Sequence, residues 1–305
     1  MRTHVCNVRK PVLTTAVSLF LVVVTGAAAY SKPGDPHENT ETVRFNTAPL
    51  LATTAPIGPS AIAAGDLNGD GEADLVYITT GAQVAVRLSE GHHAFAPEVL
   101  YSTGFILAQT ILIADVNGDG KPDLLVGSFL PVVGQGFISV LLGLGDGTFG
   151  QPITSGANSL GVNKIVTAAA GDFNQDGKID LIAFTSAGLT LFEGDGNGHF
   201  QPTWISSNSI VRVPAHLIVA DLDLSGHLSF VVSDVLSATV SVFLGHGDGT
   251  FASPVTYSGP NVPILVDAGV DGISCGAVAD MNGDGIPDLV LSDFNNHIDF
   301  LLAGC

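Results

Sequence analysis

The stretch Asp66-Leu67-Asn68-Gly69-Asp70-Gly71-Glu72-Ala73-Asp74 recurs as Asp115–Asp123, Asp172–Asp180 and Asp280–Asp288, and in altered form as Asp221–Ser229. Oxygen-bearing side chains stand at positions 1, 3, 5 and 9, with glycine at position 6. Alternating carboxylate and amide oxygens on a short loop suit a hard cation such as calcium, and glycine takes a sharp turn that a side chain obstructs. An EF-hand loop, by contrast, runs to about twelve residues and a closing Glu between two helices. A polar hairpin turn also favours Asp, Asn and Gly. Four full copies in register, each closing on a carboxylate at position 9, exceed what turn chemistry asks.

The copies can be read against one another. Position 1 is Asp66, Asp115, Asp172, Asp221 and Asp280, and position 3 is Asn68, Asn117, Asn174, Asp223 and Asn282. Position 5 is Asp70, Asp119, Asp176, Ser225 and Asp284, and position 9 is Asp74, Asp123, Asp180, Ser229 and Asp288. Position 7 is Glu72, Lys121, Lys178, His227 and Ile286, a variety that fits a residue offering only its backbone carbonyl. The fourth copy keeps Gly226 but has lost two carboxylates. Calcium affinity follows carboxylate count. The expectation is about four structural calcium ions, with a weak or lost site at Asp221, Asp223 and Ser225.

Apolar, β-rich runs flank every loop. Ala61–Ala64, Thr110–Ala114, Thr167–Ala170, Leu217–Ala220 and Gly276–Ala279 precede the loops. Leu75–Ile78, Leu124–Gly127, Leu181–Phe184, Phe230–Ser233 and Leu289–Ser292 follow them. A third set comprises Gln83–Leu88, Phe137–Leu142, Leu189–Phe192, Thr239–Leu244 and His297–Leu302. These runs have the length and composition of strands. After the third come Gly145-Asp146-Gly147-Thr148-Phe149, Gly194–Phe200, Gly247–Phe251 and the looser Glu90–Phe95, each followed by a proline. Without a following Lys-Ser/Thr or helix, these are tight turns carrying an aromatic plug between repeats rather than phosphate loops. The stretch after each Phe, such as Glu98–Ser102, supplies a fourth strand.

The position-1 aspartates are spaced by 49, 57, 49 and 59 residues. Four strands at such a period predict an all-β propeller of four-stranded antiparallel blades. The last repeat stops after its third strand, and Val43–Leu50 carries the Phe-then-Pro pattern of a fourth strand. The two ends thus predict five blades, with N- and C-terminal strands sharing the closing one and leaving no free edge.

Composition bounds the rest. The 305 residues carry 29 acidic against 10 basic side chains, and fourteen of the acidic ones sit at loop ligand positions. Such a charge, with no basic patch, argues against nucleic acid as partner. Residues 1–29 read as a signal peptide: Arg2, Arg9 and Lys10, an apolar run Ala16–Val24, then Ala27-Ala28-Ala29. Residues 30–40 read as a flexible leader and 41–305 as the propeller. The expected location is secreted, extracellular or periplasmic, as a monomer with no membrane insertion after cleavage. Cys275 and Cys305 invite a disulfide. The proposed blade puts them at opposite ends, however, and a bridge needs Cα atoms within about 7 Å.

With these residues in view, the D-x-N-x-D-G-x-x-D-L copies and their Gly-Asp-Gly-Thr-Phe partners resemble FG-GAP or VCBS-type repeats. Such repeats build the integrin α-subunit propeller and occur in many exported bacterial proteins. The resemblance spans residues 41–305. It implies calcium in the loop between the first two strands of a blade, at the positions named above. Propellers of that kind usually have more blades than five.

Catalytic signatures are missing from the sequence. His92, His93, His199 and His246 lie in the turns, His216 and His227 flank the altered loop, and no Gly-x-Ser-x-Gly or His-Glu-x-x-His occurs. The reading is a non-enzymatic binding or adhesion module for an extracellular protein or carbohydrate. The alternatives are a lectin and a hydrolase or lyase acting on extracellular polymers from the propeller channel. One tryptophan, Trp204, is a poor supply for stacking on sugars.

Overall fold

The computed structural model describes residues 61–301 apart from short stretches at 80–81, 93, 105–106, 131–134, 157–164, 186, 207–213, 235–236, 238, 259–272 and 294–297. Every regular element among the described residues is a β-strand. Blade 1 comprises Ile62–Gly65, Asp74–Ile78, Gln83–Arg87 and Val99–Ser102. Blade 2 comprises Leu107–Ala114, Asp123–Leu130, Gln135–Leu141 and Ile153–Gly156. Ile165–Gly171, Asp180–Thr185, Gly188–Gly194 and Phe200–Ile205 make blade 3. Blade 4 is Pro214–Ala220, Ser229–Asp234, Thr239–Phe243 and Val255–Ser258. Blade 5 shows Ile273–Ala279, Asp288–Asp293 and Ile298–Leu301.

All pairings are antiparallel in sequence order, as the runs and turns predict. From blade 1 to blade 5 the first strand of one blade lies against the first strand of the next, so the first strands line the centre and the fourth strands face outward. That arrangement is a β-propeller. The segment expected to close the ring, Val43–Leu50, and the signal and leader all lie outside the described residues, as does Cys305.

The core sits between blades rather than inside any one of them. Leu67, Val76, Ile78, Val84 and Val86 of blade 1 pack on Ile111, Leu124, Val126, Leu141 and Phe149 of blade 2. Equivalent apolar layers fill the second junction around Leu125, Ile138, Phe192 and Phe200, and the third around Phe173, Leu191, Phe230 and Phe243. Because a strand alternates its side chains, each central blade offers one apolar face to either neighbour. This explains why the runs read as near-continuous hydrophobic stretches instead of a strict alternation.

Candidate cation loops and the turns that cover them

Each loop is wound by its first aspartate. Asp66 accepts the backbone N–H of Gly69 and Asp70 on Oδ1, at 2.7 and 3.2 Å, and that of Gly71 on Oδ2, at 2.8 Å. Asp115 repeats this on Gly118, Asp119 and Gly120. Asp172, Asp221 and Asp280 hold the position-6 N–H in the same way. Asn68, Asn117, Asn174 and Asn282 accept the N–H of position 5 on their amide oxygens. Asp70, Asp119, Asp176 and Asp284 accept that of position 7. The oxygens of positions 1, 3 and 5 are thereby gathered over one short run of backbone. The fourth loop keeps this winding, with Asp223 accepting from Ser225 and the Ser225 hydroxyl from His227.

Position 4 turns left-handed as well as position 6. Gly69 and Gly71 have φ of 77° and 86°, a region that glycine enters without strain. The third and fourth loops place Gln175 (φ 60°) and Leu224 (φ 56°) there instead. Gln175 uses the exposed position to donate its Nε2–H to the Gly226 carbonyl of the next loop, at 2.9 Å.

The position-9 aspartates do something the sequence did not disclose. Asp180 accepts the N–H of Phe173 on Oδ2 (3.1 Å) and that of Gly194 on Oδ1 (3.0 Å). Asp74 bridges Leu67 and Ser89, and Asp123 bridges Val116 and Gly143. Asp288 takes the N–H of Met281. All four are fully buried. Each ties the start of its loop to the scaffold before any ion is considered. Ser229 preserves half of the arrangement, its Oγ accepting from Gly245 at 3.2 Å. Each carboxylate oxygen has two lone pairs, so accepting one N–H leaves the other for a cation.

The electrostatics of Asp66 and of Asp123 and Asp180 diverge. Burial raises Asp66, but N–H donation from Gly71, Gly69, Asn68 and Asp70 outweighs it and holds the carboxyl below the usual range. Asp123 and Asp180 are pushed up to about 6, chiefly by burial, with added repulsion from the other two aspartates of their loops. The nearby positive charge is sparse: Lys121 Nζ is 3.9 Å from Asp119, and Lys178 Nζ 3.7 Å from Asp176. With position 9 engaged on backbone, no group of three His, Cys, Asp or Glu among the described residues stands close enough to hold a metal by side chains alone. Asn oxygens and the position-7 carbonyl would have to contribute, which is the mixed oxygen set that calcium accepts.

The Gly-Asp-Gly-Thr-Phe turns are the plugs the sequence predicts. Phe149 of blade 2 meets Tyr101 of blade 1 edge-on, with ring centroids 5.4 Å apart. Phe251 of blade 4 packs on Trp204 and Phe173 of blade 3, at 5.2 and 5.8 Å. Within each turn Asp146 or Asp248 caps the N–H of Thr148 or Thr250. Each turn also reaches back to the loop of the preceding blade. Gly147 donates its N–H to the Leu67 carbonyl, and Gly249 donates to the Phe173 carbonyl, both at 3.1 Å. The Glu90–Phe95 turn departs from this pattern and forms its own small ribbon, Ser89–Gly91 with Ala94–Phe95.

Sequence reasoning also missed a constraint on Gly143, Gly194 and Gly245, which lie at or just past the ends of the third strands. A Cβ at any of them would lie 2.1 Å from the carbonyl oxygen of Pro122, Ile179 or Leu228. The Leu142-Gly143, Glu193-Gly194 and Leu244-Gly245 pairs ahead of each turn were the available signal.

Among solved structures, a protein from Lactobacillus plantarum shares 12% identity at a TM-score of 0.53, covering 83% of this chain and 72% of that one. An Agrocybe aegerita lectin that recognises non-reducing terminal N-acetylglucosamine shares 21% identity at a TM-score of 0.40, covering 75% of this chain and 73% of its own. A candidate 6-phosphogluconolactonase from Bacteroides fragilis shares 14% at 0.48, covering 81% and 71%. The first of these supports the fold, and none carries a function across. No curated protein sequence matches the chain. The FG-GAP-like repeat family matches residues 66–126, 115–183, 172–232 and 230–291, four overlapping units that each begin on or beside a loop or strand described above. The chain belongs to the FG-GAP-like repeat family.

Proposed function

We propose that this chain is a calcium-stabilised propeller that works outside the cytosol as a binding module for an extracellular protein or carbohydrate. The observation that carries the calcium is the set of four complete loops, in which aspartate and asparagine oxygens are already gathered by N–H donation with little positive charge to offset them. Positions 1, 3, 5 and 9 of each loop, with the carbonyls of Glu72, Lys121, Lys178 and Ile286, would hold the ion. Calcium supplies charge neutralisation and a fixed hairpin there. The chain's own residues supply the winding, the burial and the link to the next strand. Ion binding to the folded state alone would then stabilise it by mass action.

The binding role rests on the family and on a rigid scaffold whose loops all emerge between the first and second strands of the blades. A protein partner fits better than a sugar, because the single tryptophan is already packed against Phe251. The test is metal analysis of the mature protein with thermal melts in calcium and in chelator. About four ions per chain and a melting temperature lowered by roughly ten degrees or more in chelator are expected. No bound metal and an unchanged melt would reduce the loops to turns.

A further inference from the structure

We propose that the first and third cation loops are each completed by the blade that follows, so that ion occupancy and inter-blade docking are one coupled equilibrium there. This rests on the calcium reading above. The positioning residues are Gly147 and Gly249, whose N–H groups hold the position-2 carbonyls of the first and third loops.

Three observations converge on these junctions. The first is the hydrogen bond itself, made from the turn of one blade to the second residue of a loop in another. The second is packing. A Cβ on Gly147 would fall 2.6 Å from Leu88, and one on Gly249 would stand at ordinary van der Waals distance from Leu191, Glu193 and Asn174, the last being position 3 of the third loop. The third is the fate of position 2. Leu67, Val116 and Phe173 are buried, whereas Met281 in the fifth loop is 50% exposed. Leu67 and Phe173 lie one residue from the position-1 aspartate and donate their own N–H to the position-9 aspartate. The following blade therefore grips the segment that joins the two ends of the oxygen set.

Coupling of this kind is reciprocal. If the turn holds the loop in its ion-ready shape, the ion must tighten the turn. The fifth loop has a full ligand set but an open position 2, so it is the weakest of the four complete sites.

The experiment uses amide hydrogen exchange on the intact protein in calcium and in chelator. The Gly147 and Gly249 amides should be protected in calcium and exchange about tenfold faster or more without it. The Thr148 and Thr250 amides, capped within their own turns, serve as internal references and should change little. A calcium titration of the same sample should show three tight sites and one at least about tenfold weaker, abolished by Asp284→Ala. As a second arm, Gly249→Val should weaken calcium binding at one tight site and shift the emission of Trp204, which packs on the same turn. If that variant fails to fold, the exchange and titration data on the unaltered protein still decide. Four equal sites, or calcium binding that leaves Gly147 and Gly249 exchange untouched, would overturn the coupling while sparing the calcium reading. Absence of calcium binding would instead bring down the calcium reading itself.

Discussion

In the four complete loops a buried carboxylate holds backbone donors and, on the calcium proposal, would also face the ion. Asp180 accepts N–H groups from both the loop and the third strand. Replacing it with alanine leaves two buried donors unpaired, which costs about 2–4 kcal/mol in denaturant unfolding even with chelator present. Ser229→Ala in the fourth loop frees only the Gly245 donor and should cost about 1 kcal/mol. Equal losses at the two sites would show that the aspartate's contribution comes from the ion alone. The raised values of Asp123 and Asp180 also give a pH signature. A carboxyl that titrates near 6 when folded and near 3.8 when unfolded binds its proton more tightly in the native state. Stability without metal therefore rises as pH falls from about 6 toward 4. Below that window the depressed carboxyls, Asp66, Asp146 and Asp248 among them, reverse the trend. If calcium binds as proposed, the sign inverts in its presence, because proton and ion would compete for the same oxygens. Melts at pH 7 and pH 5, in chelator and in calcium, check both directions.

At the level of strands and turns, what could be read from the chain depended on whether a residue's job was local. The loops, the three strand runs and the Phe-bearing turns were legible because strand alternation, turn chemistry and oxygen spacing act over a few neighbouring residues. Strand starts were placed one residue late, at Leu75 or Leu181, because Asp74 and Asp180 looked like loop ligands when they also open the second strands. The Gly143, Gly194 and Gly245 constraint stayed hidden because it depends on a carbonyl some fifteen to twenty residues earlier in the chain. Gly194→Ala would force that oxygen aside and should destabilise the blade by about 3 kcal/mol or more. The same change at Gly177, whose left-handed turn meets no atom within 4 Å, costs only backbone strain of about 1–2 kcal/mol. A denaturation series on the two variants separates close approach from turn conformation.

The propeller as a whole is a chain of shared interfaces. The apolar layers run from junction to junction, from Leu67 and Leu124 between blades 1 and 2 to Phe173 and Phe230 between blades 3 and 4. The fourth loop keeps its fold by other means, through Asp221 winding and the Gln175 hydrogen bond from the loop beside it. A repeat can thus lose two of its carboxylates without losing its place among the blades.

The winding of each loop by its own first aspartate bears on time as well as on energy. A site whose oxygens are already drawn together by backbone N–H groups does not wait for the chain to fold around an arriving ion. If calcium binds as proposed, entry would follow encounter with the ion, and departure the strength of the oxygen cage. Such a molecule would keep its outline through brief swings in calcium, a standing frame rather than a switch.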